Sequence, residues 1–325
     1  MKKYFIAMGI AGILLVAGGV FVWQWQKTPT GASNINLKTT KLATIPENIR
    51  LEDVRFSPNG RSVFYYYEIE KSNKMLTFLN GQEGKKYDQV NFLSFSLDGK
   101  QYAYAAKEGD KMFVVLNGKE GKKYDAIGSF MSFGNDFTFS PDGKQFAYTA
   151  VIDTTVIEKG RPIIVLNGEE DKRYKYSRYP TFSPDSKQFI YLASEDGKSP
   201  AEGGEVFLVN NGQEGGKYNF INNLVFSPDS KQFAHVGTKL EDGTFKNSIV
   251  LNGHEGKTYE NIGNLTFSPD SKQFAYVGTK LEDRTFKYFI VLNGQEGKTY
   301  EIISNLTFSP DSKQFAHVGT KLEDG

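Results

Sequence analysis

From about residue 41 onward, apolar positions fall in short runs that turn-forming residues interrupt at regular intervals. Seven copies of one phrase begin at Phe56, Phe95, Phe139, Phe182, Phe226, Phe267 and Phe308, spaced 39, 44, 43, 44, 41 and 41 residues apart; the copy at Phe139 reads FSPDGKQFAYTA. Six copies of a second phrase lie between them, at Leu79, Leu116, Leu166, Asn210, Leu251 and Leu292, the last reading LNGQEGKTYE. Each period predicts four strands. Strand a ends at the Ser-Pro-Asp turn, where proline presets one dihedral and aspartate or serine caps the turn. Strand b follows, as in Gln314-Phe-Ala-His-Val, with residues that suit a pleated surface. Strand c, typified by Tyr288-Phe-Ile-Val-Leu, is apolar without alternation, as expected when both faces are covered. The Asn293-Gly294 that follows is a strong hairpin signal and leads into strand d.

Four strands in roughly 40–45 residues is the pattern of a propeller blade. The expected fold is all-β: a β-propeller of about seven four-stranded blades, the last incomplete, after an N-terminal transmembrane helix. Lys41 to Ile49 reads as an orphan strand d, suited to closing the ring, although the strand c that should lie between it and Phe315–Val318 is missing. The text at Lys321-Leu-Glu-Asp-Gly continues one repeat earlier into Thr244-Phe-Lys, so the chain reads as truncated.

Ahead of the repeats, Lys2 and Lys3 precede an uncharged run from Tyr4 to Gln26. Its apolar part, Tyr4 to Trp23, spans about 30 Å as a helix, the thickness of a hydrocarbon core. Trp23 and Trp25 sit where indoles favour the interface, and the lysines place the N-terminus in the cytoplasm. The organisation expected is a cytoplasmic 1–3, a membrane anchor at 4–26, a linker at 27–40 and a propeller at 41–325. Ala17, Gly18 and Gly19 leave open a cleaved signal peptide, against which the length of the apolar run counts. Either way the propeller is extracytoplasmic, in the periplasm or at the cell surface.

The phrase F-S-P-D-G-K-x-[FIL]-A-[FY] resembles the repeat of TolB-type β-propellers, built from WD-repeat-like units, over about residues 41–325. The resemblance implies a propeller. It does not carry a function, because the unit occurs in envelope proteins, in peptidase gating domains and in other exported proteins.

Composition narrows the rest. The chain has 325 residues, 39 basic against 38 acidic, and no cysteine, which excludes bulk nucleic-acid binding, a disulfide framework and a thiol nucleophile. Three histidines leave little for metal or acid–base work. His235 and His317 occupy strand b positions that hold Tyr104, Tyr148, Tyr191 and Tyr276 elsewhere, which marks packing, and His254 replaces Gln82 and Gln295 in an exposed turn. The Asp and Asn residues of the Ser-Pro-Asp turns are explained by their own turns. Charges such as Glu83, Lys85, Glu120, Lys122, Glu255 and Lys257 read as a solvated rim. There is no G-x-S-x-G elbow, P-loop or H-E-x-x-H motif, and no catalytic residue, metal ligand or cofactor is expected.

Residues 226–266 and 267–307 differ at only 7 of 41 positions, so binding is expected in the irregular repeats instead. The long b–c loops at 151–161 and 194–204, and an insertion at 128–136, vary most. Beside them Arg161 and the interleaved Arg173, Tyr174, Tyr176, Arg178 and Tyr179 form the candidate ligand- or partner-binding cluster, able to stack sugars or hold an acidic peptide. The competing reading is a solvated strand whose tyrosines pack on the next blade. The expected function is a non-catalytic protein-binding or scaffolding module of the cell envelope, its partner an envelope protein or peptide first and a cell-wall glycan second. The alternative is a substrate-gating propeller of a larger hydrolase of the serine-peptidase type.

Overall fold

The computed structural model describes residues 6–8, 11–16, 19–24, 38–44, 54–69, 72–128, 137–152 and 160–320, with backbone alone before residue 41. From Val54 on, consecutive strands join their chain neighbours in antiparallel sheets, ordered a-b-c-d in the first six. Blade I comprises Val54–Phe56, Val63–Ile69, Lys74–Leu79 and Gln82–Tyr87. Blade II comprises Gln89–Phe95, Tyr102–Glu108, Lys111–Leu116 and Lys119–Glu120. In blade III strand a is split into Ala126–Ile127 and Phe137–Phe139, followed by Phe146–Ile152, Arg161–Leu166 and Glu169–Asp171. Blade IV is Tyr176–Phe182, Phe189–Ser194, Phe207–Asn210 and Gln213–Glu214. Blades V and VI, the near-copies, are Phe220–Phe226, Phe233–Glu241, Thr244–Leu251 and His254–Tyr259, then Asn261–Phe267, Phe274–Glu282, Thr285–Leu292 and Gln295–Tyr300. Among the described residues blade VII has two strands, Ile302–Phe308 and Phe315–Thr320.

Strands b and c form the buried middle of blades I to VI. Ile163, Ile164 and Val165 are wholly covered, which explains the unbroken apolar run of strand c. Core clusters bridge consecutive blades: Phe64 and Tyr87 of blade I pack with Tyr104, Phe113 and Val115 of blade II. All six Asn-Gly hairpins have both residues at positive φ, from Asn80 (52°) and Gly81 (79°) to Asn293 (48°) and Gly294 (83°), the backbone of a type I′ turn. Asparagine is required for a second reason. Its Oδ1 accepts the first N–H of strand b, as in Val63 to Asn80 at 2.8 Å and Phe274 to Asn293 at 2.9 Å.

The N-terminal segment departs from expectation. Instead of a membrane-spanning helix, Ile6–Met8, Ala11–Val16, Gly19–Gln24 and Lys38–Ala43 form a four-stranded antiparallel sheet, and no helix among the described residues is long and apolar enough to cross a membrane. The segment is rich in β-branched Ile and Val and punctuated by Gly9, Gly12 and the pair Gly18-Gly19, a composition that suits short strands joined by turns. The orphan strand expected to close the ring is also placed differently: Lys38–Ala43 pairs with Gly19–Gln24, and Ala43 is buried with Val54, Val63 and Tyr65 of blade I. The remainder of the expected linker and of Lys41 to Ile49 lies outside the described residues.

The chain forms two compact units, 1–133 with 137–160 and 165–169, and 134–136 with 161–164 and 170–325. Blades I and II lie in the first, blades IV to VII in the second.

Candidate binding surface

The polar residues of both repeated phrases are spent on holding blades together. In every Ser-Pro-Asp turn the serine hydroxyl donates to the Asp or Asn side chain, at 2.7 Å for Ser96 to Asp98 and for Ser227 to Asp229. The same oxygen accepts the Lys N–H two residues on, as from Lys231 at 3.1 Å. These bonds hold the aspartates below the usual carboxylate range, the serine hydroxyl first and the lysine backbone next. The turns are also linked to one another: the N–H of Asp185, Asp229 and Asp270 donates to Ser230, Ser271 and Ser312 of the following blade at 2.9 Å. In the first unit Asn59 replaces this contact with its amide, which donates to the Asp98 carbonyl at 2.7 Å.

The glutamate of the Asn-Gly-x-Glu phrase forms a second belt. Tyr87 donates to Glu120 at 3.1 Å, Tyr174 to Glu214 at 2.8 Å and Tyr259 to Glu296 at 3.1 Å, each from one blade to the next. The rim charges therefore correct the solvated-rim expectation in part. Lys85 pairs with Glu120 at 2.9 Å and Lys280 with Glu296 at 2.6 Å around buried phenols. Glu296 is held low first by the Lys280 bond, and burial is the main cause that raises Tyr259.

The cluster selected from the sequence divides. Arg161 Nη2 donates to the carbonyls of Lys172 and Tyr174 at 3.0 Å each, so it secures the backbone at the end of strand d. Arg173 grips Asp171, with Nη2 to Oδ2 at 2.7 Å, and reaches the Tyr191 hydroxyl at 2.9 Å and the Gly212 carbonyl of blade IV at 3.4 Å. Burial would raise the Asp171 carboxyl, but bonds from Arg173 and Tyr191 hold it below its usual range. Tyr174 and Tyr176 are buried in separate core clusters, and Tyr174 is pushed up to about 12 by burial and then by Glu214. Arg178 lies over the Tyr176 ring, 5.7 Å from its centroid. Tyr179 faces outward, 37% exposed. Tyr179 thus stands exposed at the strand a bulge with Arg178 half-buried beside it, Arg173 is exposed but tied to Asp171 and Tyr191, and Arg161, Tyr174 and Tyr176 are built into the blade.

Tyr179 marks a recurring feature that the sequence pattern did not reveal. Strand a of blades II, IV, V, VI and VII carries a bulge against strand b, and one residue in each bulge has positive φ: Phe92 (57°), Tyr179 (61°), Asn223 (53°), Asn264 (51°) and Asn305 (55°). Asparagine tolerates this left-handed backbone; bulky side chains are strained in it. Phe92 and Tyr179 are the two departures, 39% and 37% exposed. Strained aromatic residues held toward solvent, where the neighbouring blades use asparagine, are candidates for contact with a ligand.

Of the variable loops, the 194–204 connection is ordered by a short 3-10 turn, Pro200–Glu202, with Ser199 and Glu202 closing a capping box. Most of the 128–136 insertion and of the 151–161 loop lies outside the described residues. His235 is 4% exposed with neither ring nitrogen hydrogen-bonded, and its ring meets Tyr218 edge-on at 5.7 Å, in keeping with a packing role.

Four-stranded blades joined in chain order, with their repeated polar residues linking neighbours, define a β-propeller of WD-like repeats. The chain is similar to the crystal structure of TolB from Acinetobacter baumannii (17% identity, 76% of this chain and 64% of that one, TM-score 0.34). It is similar also to the β-propeller domain of the Trilobed protease from Pyrococcus furiosus, described as having an open velcro topology (13% identity, 91% and 97%, TM-score 0.39), and to the tricorn protease (13% identity, 96% and 34%, TM-score 0.39). It spans less than two thirds of TolB and about one third of tricorn. Similarity this low transfers neither residue roles nor activity. No protein-family model matches the chain, and none of the curated proteins matches it.

Proposed function

We propose that this protein is a membrane-tethered, extracytoplasmic β-propeller that binds an envelope protein or peptide and catalyses no reaction. The supporting observation is the division of labour among its side chains. The Ser, Asp, Tyr and Glu residues of the repeats are engaged between blades, whereas exposed aromatic residues sit at strained bulge positions, Phe92 and Tyr179. A rigid scaffold displaying a few exposed aromatic residues suits recognition, where such side chains contribute much of the affinity. For the tether, Tyr4 to Trp23 is long enough to cross a bilayer, and Lys2 and Lys3 keep its start in the cytoplasm. In lipid an isolated apolar segment must satisfy its own peptide groups, which favours a helix over an open-edged sheet.

The test is cross-linking of the full chain in intact envelopes of cells that make it, with mass spectrometry of the products and protease added from outside. External digestion of the propeller and a cross-linked protein partner lost on Tyr179→Ala are expected. A protease-protected propeller, or cross-linking only to itself, overturns the reading.

A further inference from the structure

The b–c hairpins of blades V and VI reach beyond their sheets. Their strands run nine and eight residues, against six and four in blade IV. At each end a leucine and a phenylalanine face one another across the ladder, Leu240 with Phe245 and Leu281 with Phe286. They are 54%, 50%, 53% and 52% exposed, although a cross-strand pair of this kind is normally placed against a core. Both tips carry the same text, Lys-Leu-Glu-Asp-x-Thr-Phe-Lys.

The charges around the two pairs are unevenly compensated. Every flanking lysine is matched within the fold: Lys239 to Glu255 at 2.8 Å, Lys246 to Glu260 at 2.5 Å, Lys280 to Glu296 at 2.6 Å and Lys287 to Glu301 at 2.5 Å. Among the described residues the tip acids Glu241, Asp242, Glu282 and Asp283 form no ion pair, and the tips add a single cation, Arg284. Each tip is therefore an apolar pair beside uncompensated negative charge.

We propose that these two hairpin tips dock a protein segment presenting apolar side chains flanked by lysine or arginine. The proposal rests on the binding-module reading and names the partner's chemistry. Burial of the Leu–Phe pairs supplies the attraction, and the acids select for a basic partner. An anionic lipid surface is disfavoured by the same acids. Repetition of the tip in successive blades suits a partner with two such segments, whose joint engagement raises affinity without new contacts. Arg284 makes the blade VI tip less acidic, so the blade V tip is the stronger site for a basic segment.

The test uses the full chain with two labelled synthetic peptides, one alternating lysine with leucine and phenylalanine, the other its glutamate counterpart. Fluorescence anisotropy should show saturable binding of the basic peptide alone, weakened by about tenfold or more on joint Phe245→Ala and Phe286→Ala substitution. Joint Glu241→Gln and Asp242→Asn substitution, which keeps a residue that tolerates the left-handed turn, should weaken it further than the equivalent pair at Glu282 and Asp283, with the fold retained in all variants by circular dichroism. Equal binding of both peptides, no binding of either, or preferential loss of binding to anionic vesicles in the Phe variants overturns the proposal. If partner cross-linking in envelopes survives in the Phe variants, the docking surface is wrong while the binding-module reading stands; if the unmodified chain cross-links no partner, that reading itself fails.

Discussion

The backbone N–H of Asp229 donates to the hydroxyl of Ser271, one blade further along the chain, at 2.9 Å. To make this contact Ser271 holds φ at 63°, a left-handed backbone in which glycine would be at ease. Ser230 and Ser312 do the same at 62° and 61°. The serine of the Ser-Pro-Asp-Ser phrase therefore exchanges local strain for a blade-to-blade bond. In blade II the equivalent residue is Gly99, where an added Cβ would lie 2.5 Å from the Asn59 amide that makes the link instead.

This exchange predicts opposite behaviour for two small substitutions. Ser271→Ala keeps the strain and loses the bond, and should cost about 1 kcal/mol in chemical denaturation. Ser271→Gly loses the bond but relieves the backbone, and should fall within about 0.5 kcal/mol of the natural chain. If glycine destabilises more than alanine, the hydroxyl contact is not what keeps serine there.

Glu296 gathers three donors: Lys280 at 2.6 Å, the Tyr259 hydroxyl at 3.1 Å and Lys257 at 3.5 Å. Glu296→Ala should lower stability by about 1–2 kcal/mol, because it strands a buried phenol as well as removing the ion pairs, while Lys257→Ala should cost under about 0.5 kcal/mol. The depressed carboxyl gives the sign with pH. Its contribution is complete above the unfolded carboxyl pKa and disappears as pH falls through the lower folded value. Melting curves of the two variants across acid pH check both statements.

The strands, the Asn-Gly hairpins and the blade period were legible in the sequence because each depends on residues close together in the chain. The partners of Asp229 and Tyr259 were not, since they lie some forty residues away and only the fold brings them together. For that reason Glu120 and Glu255 resembled ordinary surface charges. The fold also divides the side chains of the Arg173–Tyr179 segment. Tyr176 and Tyr179 stand three residues apart on strand a, an odd spacing that puts them on opposite faces, one buried and the other exposed. Leu240 and Phe245 went unnoticed because a hairpin that outruns its sheet looks the same in sequence as one that does not.

His235 stands where other blades have a tyrosine, and burial pushes its imidazole down to about 4, with Glu255 opposing. Between the unfolded value near 6.5 and about 4 the unfolded chain binds the extra proton, so stability falls as pH falls through that window and is full above it. The loss is of order 3 kcal/mol at most. His235→Tyr should remove this slope, so that the variant gains on the natural chain at pH 5 relative to pH 8. Equal slopes for the two proteins would mean that the ring is hydrated or already charged in the fold.

Tyr179 is the residue where stability and binding should part. Replacing it with the asparagine found at the same bulge in blades V, VI and VII relieves a left-handed tyrosine and should stabilise the protein by about 1 kcal/mol. The same change removes the exposed ring through which the proposed partner is held. Tyr179→Asn should therefore melt higher than the natural chain yet capture less partner in envelope cross-linking, and Phe92→Asn should behave alike. A variant that melts lower would show that packing fixes the tyrosine; one that melts higher with capture intact would remove this position from the binding surface.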